Sequence, residues 1–310
     1  MRIAIIGAGG VGGYFGARLQ ASGADIAFVA RGAHLTALQT RGLRLESPKG
    51  DLHLPQVVAT ADPAAIGVVD VVLLTVKMYD LEAASASLGP LIGPGTVVVT
   101  LQNGVEAVDM AAEHVGREHL AGGVAYVAAV ITEPGVIRHT SLDALIFGEL
   151  DGRRSTRLAN LEAACLRAGF SACVTDHIEV DLWAKFSRLS VFSGMTAITR
   201  CPIGVLRSDP DLMSMLVAAC EETIRVGRAR GVAIPDALMN EILQMVHSLP
   251  HHAKASMLED LERGRRLELP WLSGGVVRLG ASVGVPTPIH SFIATVLKPY
   301  IHGASPLDAR

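Results

Sequence analysis

The chain has 310 residues, half of them hydrophobic and 18% charged, with a formal net charge of −3. That length allows about two domains, and that composition excludes intrinsic disorder. The charge is spread along the chain, without the basic footprint of a nucleic-acid binder. A mean hydropathy of +0.38 raises the question of a membrane. The apolar runs are short and interrupted, however: residues 68–76 contain Asp70, and residues 122–131 fall well below the roughly 20 needed to span.

The first ten residues, MRIAIIGAGG, read as a strand entering a glycine-rich turn, not as a signal peptide. Residues 11–22 carry small and apolar side chains at helical spacing and stop at Gly23. A second strand is expected over 25–30. Residues 69–75 and 96–101 are near-continuous apolar runs of the kind that parallel strands buried on both faces require. Residues 119–131 and 136–148 are β-like about a Glu133-Pro134-Gly135 turn, followed by a helix at 157–168 and a short strand at 172–175. This alternation predicts an α/β, Rossmann-type doubly wound sheet. From about Ile178 the pattern becomes helical, over 179–196, 210–230, 236–249, a long stretch 267–283, and 289–302. Pro235, Pro250 and Pro286-Thr287-Pro288 punctuate these helices. The expected organisation is a Rossmann-type domain at 1–176 and an all-α domain at 177–310.

Gly7-Ala8-Gly9-Gly10-Val11-Gly12 form a GxGxxG between strand and helix. Alone the pattern is weak; in this context it predicts a dinucleotide site, with the pyrophosphate on the helix N-terminus. The second strand ends without the carboxylate that would bind a ribose 2′-hydroxyl, and Arg31 stands there instead. A guanidinium suits a 2′-phosphate, so the expected cofactor is NADPH, although Arg31 is also compatible with a solvated surface charge. Lys77 and Asn103 follow two further strands, where ligands meet an open sheet. Asn103-Gly104 is equally an ordinary turn pair.

In the helical half, Lys185, Leu189 and Ser193 share one stripe of a helix. An ammonium there has the chemistry to stabilise an alkoxide and donate a proton, though spacing alone does not separate it from a surface lysine. Residues 255–268 hold several charges of a solvated helix face, among which physics alone singles out neither Ser256 nor Glu268. The His residues 247, 251, 252 and 290 lack metal-ligand spacing, and no metal site is expected. The four cysteines, 165, 173, 201 and 220, form no CxxC and read as reduced thiols of a cytoplasmic protein.

Segments IAIIGAGGVGGYFGARL, LLTVKMYD, LQNGVE, LWAKF, TAITRCPIGVL and SMLEDLERGRRLE occur in this order along nearly the whole chain. Together they resemble the ketopantoate reductase (2-dehydropantoate 2-reductase) family. The resemblance implies a Rossmann domain, a helical domain, and a small 2-oxo acid bound between them. It implies that Lys185 is the proton donor, Glu268 the acid at the cofactor–substrate junction, and Ser256 a substrate-binding residue. It also puts Asn103 on both cofactor and substrate, Arg31 and Lys77 on the cofactor side, and a backbone contact to the nicotinamide at Ala128. The chain departs from the family where asparagines usually follow the lysine by one and two turns: those positions are Leu189 and Ser193. A third, often Asn before a Gly, is Ile203. Ser187, Ser190, Ser193 and Arg200 are therefore candidates to hold the substrate's polar groups. Three readings stand: ketopantoate reduction, reduction of another 2-oxo acid, and an NADPH-binding sensor without turnover. No nucleic-acid or membrane partner is expected, and both a monomer and a homodimer fit the sequence.

Overall fold

The computed structural model describes residues 1–303, in two compact units: Met1–Gln102 with Glu106–Ile178, and Asn103–Val105 with the chain from Glu179 onward.

In the first unit, β1 (Arg2–Ile6) leads into α1 (Gly10–Ala21) and β2 (Asp25–Val29) into α2 (Gly32–Arg41). Three short strands follow, β3 (Leu43–Glu46), β4 (Leu52–Leu54) and β5 (Val58–Thr60), then β6 (Val71–Leu74), α3 (Leu81–Ala86), β7 (Val97–Thr100) and α4 (Ala107–Val115). The long strands β8 (Leu120–Glu133) and β9 (Val136–Glu149) form a hairpin, and α5 (Thr156–Arg167) and β10 (Ser171–Val174) complete the unit. Six strands are parallel in the order β5-β2-β1-β6-β7-β8. The sequence order reverses between β1 and β6, which is the doubly wound arrangement with its ligand-binding switch point there. β9 pairs antiparallel with β8 and carries β3, β4 and β10 beyond it. The Val, Ile and Leu runs of β1, β6 and β7 are buried because helices cover both faces of a parallel sheet.

The second unit is helical: α6 (Ile178–Thr199), α7 (Ile203–Ser208), α8 (Pro210–Ala229), α9 (Leu238–Ser248), α10 (Ser256–Glu262), α11 (Ser273–Ser282) and α12 (Pro288–Leu297). Its core includes Trp183, Phe186, Met195, Ile203, Leu216, Ile224, Val276 and Ile293. Glu222 of α8 is 2% exposed; its carboxylate accepts the N–H groups of Ile289 (2.9 Å) and His290 (3.0 Å). It thus satisfies two first-turn donors of α12 that have no partner within the helix.

Two helical expectations are corrected. The stretch 267–283 is not one helix: a 3-10 turn at Leu269–Trp271 precedes α11. Pro270 within that turn lacks the N–H that a continuous helix interior would use. The final helix ends at Leu297, short of 302, because Lys298–Tyr300 with its central Pro299 forms a second 3-10 turn. The segment 32–60, to which the sequence reading assigned no element, folds as α2, β3, β4 and β5.

Glu222→Ala removes the carboxylate that caps α12. It is expected to lower unfolding stability by about 1–2 kcal/mol, the scale of a lost cap, read as a lower midpoint in urea with an unchanged slope.

Candidate active site

The glycine-rich turn is shaped by contacts that leave no room for side chains, except at one position. Gly7 has φ +98°, which favours glycine. At Gly12 a Cβ would fall 2.3 Å from the Gly7 carbonyl oxygen and 2.7 Å from the Ile5 side chain, so α1 packs directly on β1. At Gly10 a Cβ would lie 2.0 Å from the Ala129 carbonyl of β8. Thr75, after β6, donates to the carbonyls of Ile6 (3.0 Å) and Gly7 (2.7 Å) and ties the turn to the switch point. Gly9 differs: nothing lies within 4 Å of its Cβ position. Internal packing does not explain a glycine there, whereas close approach by a pyrophosphate does. Gly9, Gly10, Val11 and Gly12 are also the N-cap and first three residues of α1, whose N–H groups lack intrahelical partners. The residues present therefore fit a dinucleotide.

The other residues of this unit expected on the cofactor side lie toward the same ends of the sheet. Arg31 follows β2, caps α2 and is exposed. Lys77 follows β6 and is half-buried, with its carbonyl accepting the Asp80 N–H at 2.9 Å. Ala128 sits at an irregularity of the β8–β9 ladder, where register shifts occur on both sides of it. Such a bulge takes a residue out of regular pairing and re-aims its backbone.

In the helical unit, three residues far apart in sequence come together. Asn103 donates to Glu268 Oε2 at 3.3 Å. Gly104, at φ +103°, turns against the Trp271 carbonyl, 3.2 Å from its Cβ position. Glu268 is buried, and its own carbonyl accepts the N–H groups of Trp271 (3.0 Å) and Leu272 (3.1 Å). Lys185 lies on α6 within reach of the Glu268 charge. Burial pushes the Lys185 ammonium down from 10.5 to about 8; Glu268 holds it up against that, and the Arg188 guanidinium acts with the burial. The result is an amine that is protonated at neutral pH and ready to release its proton just above it. Sequence reasoning missed Arg188, one turn beyond Lys185 on the same helix; its i+3 spacing was the available signal.

The remaining predicted residues are distributed over α6, the residue that follows it, and the starts of α7 and α10. Ser193 lies about 12 Å along α6 from Lys185. It is fully buried and its hydroxyl has no partner. Ser187 is likewise buried without a partner, and Ser190 faces Thr223 at 3.5 Å. Leu189 is half-buried against the helical core, and Ile203 is wholly inside it. Arg200 follows the end of α6 at φ +57°, about 21 Å or more along the helix from Lys185. It is exposed, with its guanidinium over the Tyr300 ring at 5.6 Å. Ser256 is the exposed first residue of α10. Among the described residues, no group of three or more His, Cys, Asp or Glu side chains could hold a metal ion, and no helix is long and apolar enough to cross a membrane. The thiols of Cys165 and Cys220 are buried and pushed up to about 12, which makes them packing groups rather than nucleophiles.

Comparisons with known proteins bear on both units. The family described as Ketopantoate reductase PanE/ApbA matches residues 3–152, and its C-terminal counterpart matches residues 177–301. A 2-dehydropantoate 2-reductase of Mesorhizobium japonicum is 34% identical over 309 residues, covering 93% of this chain and 94% of that protein. The crystal structure of a PanE/ApbA family ketopantoate reductase from Ralstonia eutropha JMP134 superposes with a TM-score of 0.90 at 32% identity, over 97% of this chain and 98% of that one. A D-mandelate dehydrogenase, solved with NADH and anilino(oxo)acetate, gives a TM-score of 0.87 over 97% and 98% of the two chains. At 22% identity that likeness is one of fold. A glycine turn that fits a dinucleotide, a lysine–glutamate–asparagine trio about the buried Glu268, and matches along nearly the whole length lead to one conclusion: this chain belongs to the ketopantoate reductase family of oxidoreductases, which act on CH–OH/C=O groups.

Proposed function

We propose that this chain is a cytoplasmic, NADPH-dependent 2-dehydropantoate 2-reductase. It reduces the keto group of ketopantoate to the hydroxyl of pantoate, on the way to pantothenate and coenzyme A. The observation that carries the reading is the grouping of Lys185, Glu268 and Asn103, with the Lys185 ammonium poised at about 8. A reductase needs such a proton donor, and a sensor that binds without turnover does not.

In this reading residues 1–176 hold the cofactor, and residues 177–310 carry the substrate and the proton chemistry. Gly7, Gly9, Gly10, Val11 and Gly12 take the pyrophosphate, Arg31 the 2′-phosphate, and Lys77, Ala128, Asn103 and Glu268 the nicotinamide side. When bound, the cofactor supplies the hydride. Lys185 stabilises negative charge as it develops on the substrate oxygen and gives that oxygen its proton. Glu268 keeps the buried amine charged until then, and the carboxamide of Asn103 orients the Glu268 carboxylate. Ser193, Arg200 and Ser256 are the polar residues assigned to the substrate, Ser256 being the one that the resemblance implies.

A second reading, a different 2-oxo acid, is favoured by one specific observation. Leu189 and Ile203 are packed against or within the helical core and offer no hydrogen bond where the family commonly has asparagines. A buried substrate hydroxyl left without its partner costs about 1–3 kcal/mol.

The deciding experiment is oxidation of NADPH, with NADH alongside, against ketopantoate and a panel of 2-oxo acids. The highest catalytic efficiency is expected with ketopantoate and NADPH. A better 2-oxo acid selects the second reading, and equal efficiency with NADH removes the role given to Arg31. Lys185→Ala is expected to cut turnover by about 100-fold or more with little change in cofactor affinity; turnover near that of the unaltered enzyme overturns the assignment. The rate should fall as pH rises through about 8, where Lys185 loses its proton. Because Glu268 raises that value and Arg188 lowers it, Glu268→Gln should move the alkaline limb to lower pH and Arg188→Met to higher pH.

A further inference from the structure

We propose that His34 is a positioning residue of the dinucleotide site: its neutral imidazole sets the orientation of the Ala8–Gly9 peptide and so aims the Gly9 N–H at the cofactor's phosphates. The inference rests on the dinucleotide reading of the glycine turn given above, and it adds a residue that neither the motif nor the resemblance singled out.

His34 is the third residue of α2, half-buried, with both ring nitrogens engaged. Its Nδ1 accepts the Gly135 N–H at 3.1 Å. A backbone N–H only donates, so Nδ1 carries no proton. The proton is therefore on Nε2, which donates to the Ala8 carbonyl at 2.8 Å. Burial lowers the imidazole below its ordinary value and favours this neutral form.

Ala8 lies between the first two glycines of the turn. Its N–H donates to the Val29 carbonyl of β2 at 3.2 Å, an acceptor shared with the Gly7 N–H at 3.0 Å. Its carbonyl is held by His34. The Ala8 C=O and the Gly9 N–H belong to one planar trans peptide, so they point in opposite directions. Fixing the carbonyl toward α2 fixes the N–H away from it. Gly9 is the N-cap of α1 and the one glycine of the turn with open space at its Cβ position. Without the imidazole, the peptide between Ala8 and Gly9 is free to rotate, because glycine imposes little barrier on its own side.

The same ring reaches the β8–β9 hairpin. Gly135, at φ +86°, lies in that turn; Arg41 of α2 also donates to Pro134 O at 3.1 Å, and the Ala37 methyl lies 3.1 Å from the Gly135 Cβ position. β8 is the strand whose Ala129 carbonyl packs on Gly10 and which carries Ala128. One imidazole thus joins the element that bears Arg31, the turn that takes the pyrophosphate and the hairpin that bears Ala128.

Three substitutions separate the contacts. His34→Gln keeps a donor near the Nε2 position, His34→Asn keeps an acceptor near the Nδ1 position, and His34→Phe keeps volume with neither. NADPH and NADH binding is read by fluorescence titration, and backbone hydrogen exchange is read on the cofactor-free protein. Loss of one hydrogen bond that orients a phosphate donor should weaken NADPH binding about tenfold in H34F and H34N, with H34Q within about threefold of the unaltered chain. Turnover at saturating cofactor should change by less than about twofold, a split that general destabilisation does not produce. In the cofactor-free protein, the Gly135 amide should exchange faster in H34F and H34Q and stay protected in H34N. Unchanged NADPH affinity in H34F, or H34Q as weak as H34F, overturns the proposal. If the unaltered chain binds neither NADPH nor NADH, the dinucleotide reading itself falls; if it binds and the variants bind equally, only the role of His34 falls.

Discussion

The first unit depends on how closely α1 approaches the sheet. A helix normally stands off a strand by the thickness of its side chains. Here the Gly12 Cβ position lies within 2.3 Å of the Gly7 carbonyl, and that of Gly16 within 2.4 Å of the Phe28 ring. This absence of side chains lets the N-terminus of α1 sit at the end of β1, where the strand order reverses. The rest of the turn is then held by polar contacts: Thr75 on the carbonyls of Ile6 and Gly7, Val29 on the amides of Gly7 and Ala8, and His34 on the Ala8 carbonyl. Together they leave the first-turn N–H groups of α1 as the donors that a ligand can meet.

The helical unit solves a different problem, that of keeping a charge where burial opposes it. The Lys185 amine loses hydration on α6, and that loss outweighs the attraction of Glu268. Glu268 in turn is buried and hydrogen-bonded by Asn103. The net effect leaves the ammonium intact at neutral pH but closer to release than a surface lysine. Arg188 sharpens this balance, because its like charge helps to lower the value. A group in that state serves proton donation far better than one that titrates near 10.5.

Particular residues show how far the sequence could be read. The glycine turn, the apolar runs of β6 and β7, and the hairpin about Gly135 were legible because each is a local pattern of a few residues. Residues 32–60 were not, because α2, β3, β4 and β5 are short and draw their stability from packing on the sheet: Ala37 and Leu38 of α2 and Leu43 and Leu45 of β3 are buried. The helical run 267–283 was misread because apolar periodicity continues across Pro270 while the backbone cannot. Lys185 and Glu268 were singled out through resemblance; spacing alone left each among many surface charges. Ser256 came from the resemblance, whereas Ser193 and Arg200 were candidates to replace the asparagines that this chain lacks.

By itself the sequence determined an α/β half with a glycine turn that fits a dinucleotide, and a helical half. These follow from periodicity, glycine placement and motif order, which are properties of neighbouring residues. Only the tertiary structure decided that Asn103, Lys185 and Glu268 act on one another, that Arg188 modulates the lysine, and that His34 grips the glycine turn. The physical reason is range. Charge and hydrogen bonding depend on separation through space and on burial, and neither is encoded in the spacing of residues that lie far apart along the chain.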